Sequence, residues 1–243
     1  MTKRIALVTG GMGGIGTAIC QRLHKMGYKV IAGCGPSRDF DKWLGEQKAQ
    51  GYTFYASVGN VADWDSTVEA FKKTKAEHGP IDILVNNAGI TRDMTFKRMT
   101  LDAWRNVLAT DLDSVFNMTK PLYEGMTERG WGRIINISSV NGSRGAFGQT
   151  NYAAAKSGIH GFTKALAHEW PDALVKAIDV DASLGARTVA RMVLAHRYLR
   201  TYGVDTAVFA GIELVSSAPY AVGTSRFVQA LLGRRYRAAR WWG

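Results

Sequence analysis

The stretch RIALVTGGMGGIG, residues 4–16, decides the fold that this sequence predicts. Its first part, Arg4–Thr9, is an aliphatic and β-branched run typical of a strand that is buried on both faces. Glycines follow from Gly10 to Gly16, and helical periodicity runs from Thr17 to Met26. Strand, glycine turn and helix in this order predict a pyrophosphate-binding turn, because glycines let the backbone approach the anion and the free N–H groups of the helix face it.

The rest of the chain alternates strands and helices in the same way. The predicted later strands are Tyr28–Cys34, Thr53–Val58, Ile81–Val85 and Arg133–Ile137. Predicted helices include Asp65–His78 and a helix that carries Tyr152 and Lys156. This order indicates right-handed βαβ units, so we expect an α/β fold with a doubly wound, Rossmann-like parallel sheet in a single domain over residues 1–243. Ligands of such sheets bind beyond the carboxyl ends of the strands.

Composition excludes several classes of protein. The chain has 243 residues, of which 46% are hydrophobic and 21% charged, as expected of one globular domain. No apolar run approaches the roughly 18 residues of a membrane span, and Ile5–Val8 is too short for the core of a signal peptide. The two cysteines, Cys20 and Cys34, exclude a disulfide framework. We therefore expect a cytoplasmic protein with no membrane partner.

The charge balance leaves two interpretations open. The chain has 31 Lys and Arg residues against 20 Asp and Glu residues, a formal net charge of +11. Such a balance is typical of nucleic-acid-binding proteins, but a positive cleft also favours an anionic cofactor or thioester substrate. The basic residues are dispersed along most of the chain, so we expect no nucleic-acid partner.

The end of the second predicted strand bears on the choice of dinucleotide. An NAD-preferring site has an acidic residue there, which holds the ribose 2′-hydroxyl. Here the segment is Cys34-Gly-Pro-Ser-Arg38, with no acid at the strand end and an arginine nearby. Because a guanidinium matches the oxygens of a 2′-phosphate, the segment predicts NADPH, although a solvated loop arginine is the alternative.

Three further motifs follow predicted strands. Asn86-Asn87-Ala88-Gly89 follows the fourth strand and Ser138-Ser139 follows the fifth. Tyr152 and Lys156 are four residues apart on the next helix and therefore share a face. A lone Tyr-x-x-x-Lys is common, but its combination with a strand-end serine and the glycine turn is specific.

These motifs resemble those of the short-chain dehydrogenase/reductase family over residues 1 to about 169. The resemblance implies hydride transfer from NADPH to the C3 carbonyl of a 3-oxoacyl thioester. Ser139 would hydrogen-bond the carbonyl oxygen and Tyr152 would donate the proton as a general acid. Lys156 would lower the pKa of Tyr152 from its ordinary value of ~10 and hold the nicotinamide ribose.

The resemblance also implies the residues that line the site. Substrate contacts fall in two loops, at Asp93 and at Ala146, Phe147, Gly148 and Gln149. No metal site is predicted, because the five histidines show no ligand spacing with the cysteines. The predicted cofactor-binding residues are Gly10, Met12, Gly13, Gly14, Ile15, Gly16, Arg38, Gly59, Asn60, Val61, Asn87, Ala88, Gly89, Ile90, Thr91 and Lys156.

Within the family, the motifs are most similar to those of the acetoacetyl-CoA reductases. That similarity implies NADPH-dependent production of (R)-3-hydroxybutyryl-CoA for polyhydroxybutyrate, with an acyl-CoA thioester as substrate and a homotetramer as assembly. The enzymes that reduce 3-oxoacyl-[acyl-carrier-protein] share nearly every motif and are the alternative. A hypothesis of another class is a nucleotide-binding protein with impaired catalysis.

The sequence departs from the family at Asp111, in the predicted helix around Val107–Phe116. The family usually has asparagine there, which supports a water in the proton relay. An ionised carboxylate cannot donate a hydrogen bond, so we include Asp111 only as a possible member of the catalytic set with Tyr152, Lys156 and Ser139.

A larger departure follows Glu169, where Trp170-Pro171 is expected to end the helix. The family continues with a sixth strand and an Asn-x-x-x-Pro-Gly segment, which residues 170–243 do not resemble. Residues 1–169 hold nine Arg and twelve Lys, whereas 170–243 hold nine Arg and one Lys. This composition is typical of GC-rich DNA read out of frame, so we predict a frameshift near residue 170.

Two consequences follow from this prediction. Loss of the family's closing strands would remove part of the cover of the strand Arg133–Ile137, and we expect a poorly folded chain of weak activity. The alternative is a genuine divergent tail, in which the arginines and tryptophans near 234–242 bind anions or nucleic acid.

Overall fold

A computed structural model describes residues 3–170 and the strand at 174–179. These residues belong to one compact unit. They form a six-stranded sheet in the order β3-β2-β1-β4-β5-β6, and every pair of neighbours is parallel. The strands are β1 (Ile5–Val8), β2 (Lys29–Cys34), β3 (Phe54–Val58), β4 (Ile83–Asn86), β5 (Arg133–Ser138) and β6 (Leu174–Asp179). The doubly wound parallel sheet predicted from the sequence is confirmed.

Seven α-helices connect the described strands or follow them. They are α1 (Gly14–Lys25), α2 (Phe40–Ala49), α3 (Trp64–His78), α4 (Leu101–Leu108), α5 (Ser114–Glu128), α6 (Val140–Arg144) and α7 (Thr150–Glu169). A 3₁₀ turn at Phe96–Arg98 precedes α4, and a π-helical turn at Ala109–Asp113 joins α4 to α5. The helices lie in two layers, one on each face of the sheet.

Alternation along the central strand explains the two layers. Ala6 and Val8 of β1 pack with buried side chains of α1, whereas Ile5 and Leu7 pack with buried side chains of α3, α5 and α7. Successive side chains of a strand point to opposite faces, so a strand that is apolar throughout needs a helical layer on each side. All four β1 side chains are buried, as the aliphatic run predicted.

Three elements differ from the sequence-based expectation. The segment Phe40–Ala49 forms α2, whose first turn is capped by the Asp39 carboxylate accepting from the Lys42 amide at 3.0 Å. The segment expected as a glycine-rich loop after β5 begins with the short helix α6. The helix expected around Asp111 is interrupted there by the π-helical turn.

The end of α7 agrees with the sequence, but the next element does not. The helix ends at Glu169, and Trp170 is buried against Tyr123 with ring centroids 5.3 Å apart. Leu174–Asp179 then pairs with β5 along its whole length, so the expectation that β5 lacks a sixth strand beside it is wrong. Ladder hydrogen bonds use backbone groups only, so a segment can add a strand without the family's side chains. The predictions made for the chain beyond Asp179 lie outside the described residues.

Candidate active site

The glycine turn lies beyond β1 at the carboxyl edge of the sheet. Gly10 has φ +60°, a conformation that favours glycine. A Cβ on Gly16 would collide with the carbonyl oxygen of Gly10, so only glycine lets α1 start this close to the turn. Gly13 is the N-cap and supplies no side-chain cap, and the first turn of α1 contains no acid. The uncapped N–H groups and positive end of the helix dipole therefore fit a dinucleotide pyrophosphate.

Thr9 and Asn87 hold this turn against the loop after β4. The Thr9 hydroxyl oxygen accepts from the backbone N–H groups of Asn87 and Ala88, both at 2.9 Å. The Asn87 side-chain amide donates to the carbonyl oxygens of Thr9 at 3.0 Å and Gly10 at 3.2 Å. Asn87, predicted as a cofactor contact, therefore also fixes the turn, and Thr9 was not predicted as a site residue.

Arg38 lies in the loop that follows β2, and its side chain is exposed. Burial raises the pKa of the Cys34 thiol, and the charge of Arg38 opposes that rise, which places the guanidinium near the end of β2. The nearby acid Asp39 caps α2 through its carboxylate. The strand end therefore has a cation nearby, and the first acids after it are Asp39, which caps α2, and Asp41, in the first turn of that helix.

Gly59, Asn60 and Val61 form the loop after β3. Gly59 donates its N–H to the carbonyl oxygen of Cys34 at 2.9 Å, which ties the ends of β2 and β3 together. The Asn60 side chain accepts from the Ala62 amide at 3.1 Å. The Val61 carbonyl accepts from the Asn117 side chain at 3.0 Å. These contacts order a loop whose residues were predicted to bind the cofactor.

A cavity of about 550 Å³ opens beside the glycine turn. It lies between the loop after β4, the end of β5 and the first turns of α7. Several side chains that were not predicted also line it, among them Asn141 and Arg144. The predicted site residues that line it are Ile15, Asn87, Gly89, Ile90, Thr91, Ser139, Gln149, Tyr152 and Lys156.

Ser139 and Tyr152 meet inside this cavity. The Ser139 hydroxyl caps α6 by accepting from the Asn141 amide at 3.2 Å, and it is hydrogen-bonded to the Tyr152 phenol. A hydroxyl that accepts one hydrogen bond keeps its own proton to donate. Ser139 is therefore both a helix cap and a hydrogen-bond partner of the phenol.

Lys156 lies one turn after Tyr152 and is only 4% exposed. Its Nζ donates to the Ile137 carbonyl oxygen at 3.1 Å and forms an ion pair with Asp111 Oδ2 at 3.3 Å. It lies 5.5 Å from the centre of the Tyr152 ring. Burial lowers the pKa of Lys156, and Asp111 opposes this effect.

Asp111 lies on the π-helical turn and is 1% exposed. Its Oδ1 accepts from the Ile90 amide at 2.8 Å, which links the turn to the loop after β4. Burial raises the pKa of Asp111, whereas Lys156 and the Ile90 N–H lower it. The structure therefore places the carboxylate inside the candidate catalytic set, paired with its lysine.

The pKa of Tyr152 is raised above its ordinary value. Burial is the largest cause, the charges of Asp111 and Asp93 add to it, and the hydrogen bond from Ser139 opposes it. The expectation that Lys156 lowers this pKa is therefore wrong in its net direction. The reason is that burial disfavours the charged phenolate and outweighs the hydrogen bond from Ser139.

The loops predicted to touch substrate are joined by a polar chain. The Gln149 amide donates to Asp93 Oδ2 at 2.9 Å, and its oxygen accepts from the Asn141 side chain at 2.8 Å. Gly148, with φ +77°, brings the second loop within reach of the first, where its carbonyl accepts from the Met94 amide at 2.8 Å. Phe147 is 93% exposed at the rim.

Asn151 is a supporting residue that the sequence did not reveal. It is fully buried at the start of α7, and its side chain donates to the carbonyl oxygens of Arg92 and Ala103. Its oxygen accepts from the Tyr152 amide at 2.8 Å. Its position directly before Tyr152 was the only available signal, because the residues that it contacts are nearly fifty or more positions away.

The described part of the chain contains neither a metal-binding cluster nor a membrane span. No group of three or more His, Cys, Asp or Glu side chains that would hold a metal ion occurs among the described residues. No helix within those residues has the length and apolar character needed to cross a membrane.

Comparisons with known proteins agree with the motifs. A family model described as short chain dehydrogenase matches residues 4–192. An acetoacetyl-CoA reductase of Cupriavidus necator is 65% identical over 170 residues, which are 70% of this chain and 69% of the relative. An acetoacetyl-CoA reductase of Allochromatium vinosum is 54% identical, covering 68% of each chain. A 3-oxoacyl-[acyl-carrier-protein] reductase of Pseudomonas aeruginosa is 43% identical, covering 68% of this chain and 67% of the relative. The resemblance predicted from the motifs is confirmed.

Proposed function

Because the chain belongs to the short chain dehydrogenase family, we propose that it reduces acetoacetyl-CoA to (R)-3-hydroxybutyryl-CoA with NADPH. It is an oxidoreductase acting on a CH–OH group, and the family binds a nicotinamide cofactor. The observation that carries the proposal is the cavity beside the glycine turn, which brings Ser139, Tyr152 and Lys156 together.

The side chains in the cavity have the roles that ketone reduction requires. The bound nicotinamide would supply a hydride to the C3 carbonyl carbon. Ser139 would hydrogen-bond the carbonyl oxygen, where negative charge develops, and Tyr152 would transfer its phenolic proton to that oxygen. The phenol of Tyr152 is protonated at neutral pH, as an acid must be, because its pKa is raised above an ordinary value of ~10. Lys156 keeps one N–H beyond its two protein contacts for a ribose hydroxyl.

The acyl-CoA substrate is proposed from the relatives. Acetoacetyl-CoA reductases match at 65% and 54% identity, whereas the carrier-protein reductase matches at 43%. The alternative substrate, a 3-oxoacyl group on acyl-carrier protein, presents the same carbonyl to the same three side chains. The two functions differ only in what binds outside the cavity.

One experiment separates these substrates. The purified chain is supplied with NADPH and either acetoacetyl-CoA or acetoacetyl-carrier protein, and the loss of nicotinamide absorbance is followed. We expect a higher kcat/KM with the CoA thioester. A higher kcat/KM with the carrier protein would favour the alternative. Binding of NADPH without turnover of either thioester would favour a nucleotide-binding protein with impaired catalysis.

The preference for NADPH is proposed from the end of β2. The strand ends without an acid, Arg38 lies close to it, and Asp39 is engaged as the cap of α2. A guanidinium beside this strand end favours the 2′-phosphate of NADPH over the 2′-hydroxyl of NADH.

The location, assembly and pathway of the enzyme are also proposed from its relatives. We expect a cytoplasmic homotetramer that supplies (R)-3-hydroxybutyryl-CoA to polyhydroxybutyrate synthesis. Phe116, which is 49% exposed on α5, belongs to an apolar groove with α7 that offers a surface for assembly. Light scattering should then give a mass about four times the 26.6 kDa of one chain. A monomeric mass would contradict the assembly without affecting the proposed reaction.

We further propose that residues 170–243 are an atypical end of the single domain, produced by a frameshift at or after residue 170. The change in arginine and lysine content near residue 170 supports this. The family model matches as far as residue 192, and β6 pairs with β5. Both observations favour a frameshift later than residue 170. Mass spectrometry of C-terminal peptides from the natural protein tests the proposal, and peptides that match residues 170–243 of this chain would contradict it.

A further inference from the structure

Asp111 and Lys156 form an ion pair beside the cavity, which Lys156 lines. Both side chains are buried, and Oδ2 and Nζ are 3.3 Å apart. Gly89 covers the pair so closely that a Cβ there would lie 2.8 Å from Asp111 Oδ2 and 3.3 Å from Lys156 Nζ. Asp111 Oδ1 is fixed by the Ile90 N–H, and Lys156 Nζ by the Ile137 carbonyl. Neither charged group can therefore turn away from the other without losing a second contact.

Among the described residues, few charged groups face Tyr152. Lys156 lies on the same helix, Asp111 on the π-helical turn, and Asp93 in the loop after β4. Arg144 of α6 lines the same cavity. Asp111 is the buried carboxylate of this set, and it is the one that contacts the lysine.

Building on the proposed reductase function, we propose that Asp111 is a positioning residue that acts through Lys156. Its carboxylate cancels the ammonium charge beside Tyr152, so that the phenol stays protonated to a higher pH than an uncharged side chain at position 111 would allow. The raised pKa of Tyr152, to which Asp111 contributes, is consistent with this role.

An amide in place of the carboxylate would reverse the effect. Asparagine has the same shape, so its oxygen would still accept from the Ile90 N–H. Its NH₂ group would then point at Lys156 Nζ, and two donors repel each other. The ammonium would keep its Ile137 contact, lose its counter-charge and act on the Tyr152 phenol, which favours the phenolate.

The test titrates Tyr152 directly in protein free of cofactor. Protein labelled with ¹³C at tyrosine Cζ is followed by NMR across alkaline pH, and the resonance is assigned by its absence in Tyr152→Phe. In Asp111→Asn we expect half-ionisation roughly one pH unit lower, which is a roughly tenfold rise in phenolate at a given lower pH. Asp113→Asn, the same change at an exposed position of the same turn, should leave the titration unchanged.

Activity provides the second readout. Reduction falls as pH rises through the pKa of Tyr152, and oxidation of the 3-hydroxyacyl-CoA falls as pH drops below it. In Asp111→Asn, the pH at which reduction falls and the pH at which oxidation falls should therefore both be lower. If the role of Asp111 were purely structural, the substitution would lower both rates without changing the pH at which either rate falls.

Several outcomes would overturn the inference. It fails if the Tyr152 titration in Asp111→Asn is unchanged or moves to higher pH, or if Asp113→Asn moves it equally. If Asp111→Asn does not fold, Tyr152 is titrated in the unaltered protein instead. Half-ionisation at a lower pH than that of free tyrosine would then contradict the proposed role of the ion pair. Failure of the proposed function looks different, since the unaltered protein would then show the tyrosine titration but no turnover.

Discussion

The candidate active site has two parts, a glycine wall and a polar wall, that are built in different ways. The glycine wall, residues 9–16, is shaped by backbone, because Gly10 adopts a left-handed conformation and Gly16 packs against the Gly10 carbonyl. The polar wall consists of Asp111, Ser139, Tyr152 and Lys156, which come from three separate parts of the chain. We expect the glycine wall to bind the pyrophosphate of the dinucleotide, and the polar wall to perform the proton chemistry and, through Lys156, to hold the nicotinamide ribose.

The largest expected effect tests the polar wall. Tyr152→Phe removes the phenolic proton but keeps the ring, so turnover of acetoacetyl-CoA should fall by ~10²–10⁴-fold, the usual contribution of a general acid. Steady-state assays with NADPH measure this fall. Tyr123→Phe, a tyrosine that packs on Trp170 away from the cavity, is the control and should keep its activity. A Tyr152→Phe enzyme with most of its activity would remove Tyr152 from the proposed role.

A smaller effect tests the cofactor side of the comparison. Arg38→Ala removes a cation from the end of β2 and should weaken NADPH binding by ~1.5–3 kcal/mol, the value of a hydrogen bond to a charged group. NADH lacks the 2′-phosphate, so its affinity should change little. Calorimetric titration with both cofactors measures the two affinities. Equal losses for NADPH and NADH would show that Arg38 acts on the fold or on a shared phosphate.

The smallest expected effect tests whether the glycine wall depends on the close approach of its backbone atoms. A Cβ at Gly16 would collide with the Gly10 carbonyl and lie 2.8 Å from Gly11 Cα, so Gly16→Ala should destabilise the protein by ~1–3 kcal/mol. A Cβ at Gly14 would meet no atom within 4 Å, so Gly14→Ala is the matched control. Thermal unfolding should show a lower Tm for Gly16→Ala only. Equal Tm values for the two variants would contradict the close approach.

The glycine wall could be predicted from the sequence because its signal is local. A strand, glycines and a helix in succession allow one conformation of the turn, and the structure places them as expected at Ile5–Val8 and Gly14–Lys25. The same local reasoning missed α2, in which Gln47 is the one residue that the structure describes as buried, so the apolar periodicity of the helix is weak.

The electrostatics of the polar wall could not be predicted in the same way. The sequence identified Ser139, Tyr152 and Lys156 as a group, and they do line one cavity. It gave the wrong net direction for the pKa of Tyr152, because that value depends on burial and on Asp111, which lies 41 positions earlier on a π-helical turn. Contacts between distant residues carry no local pattern, and the same limit hid Asn151 and the pairing of β6.

The most direct test of the two-wall account is NADPH binding to Tyr152→Phe, measured by calorimetry beside the turnover assay. If the glycine wall binds and the polar wall reacts, the Kd for NADPH should stay within about twofold of the unaltered protein, since the phenol contributes little to affinity. A Kd that rises in parallel with the loss of turnover would contradict the account, because binding and chemistry would then depend on the same side chain.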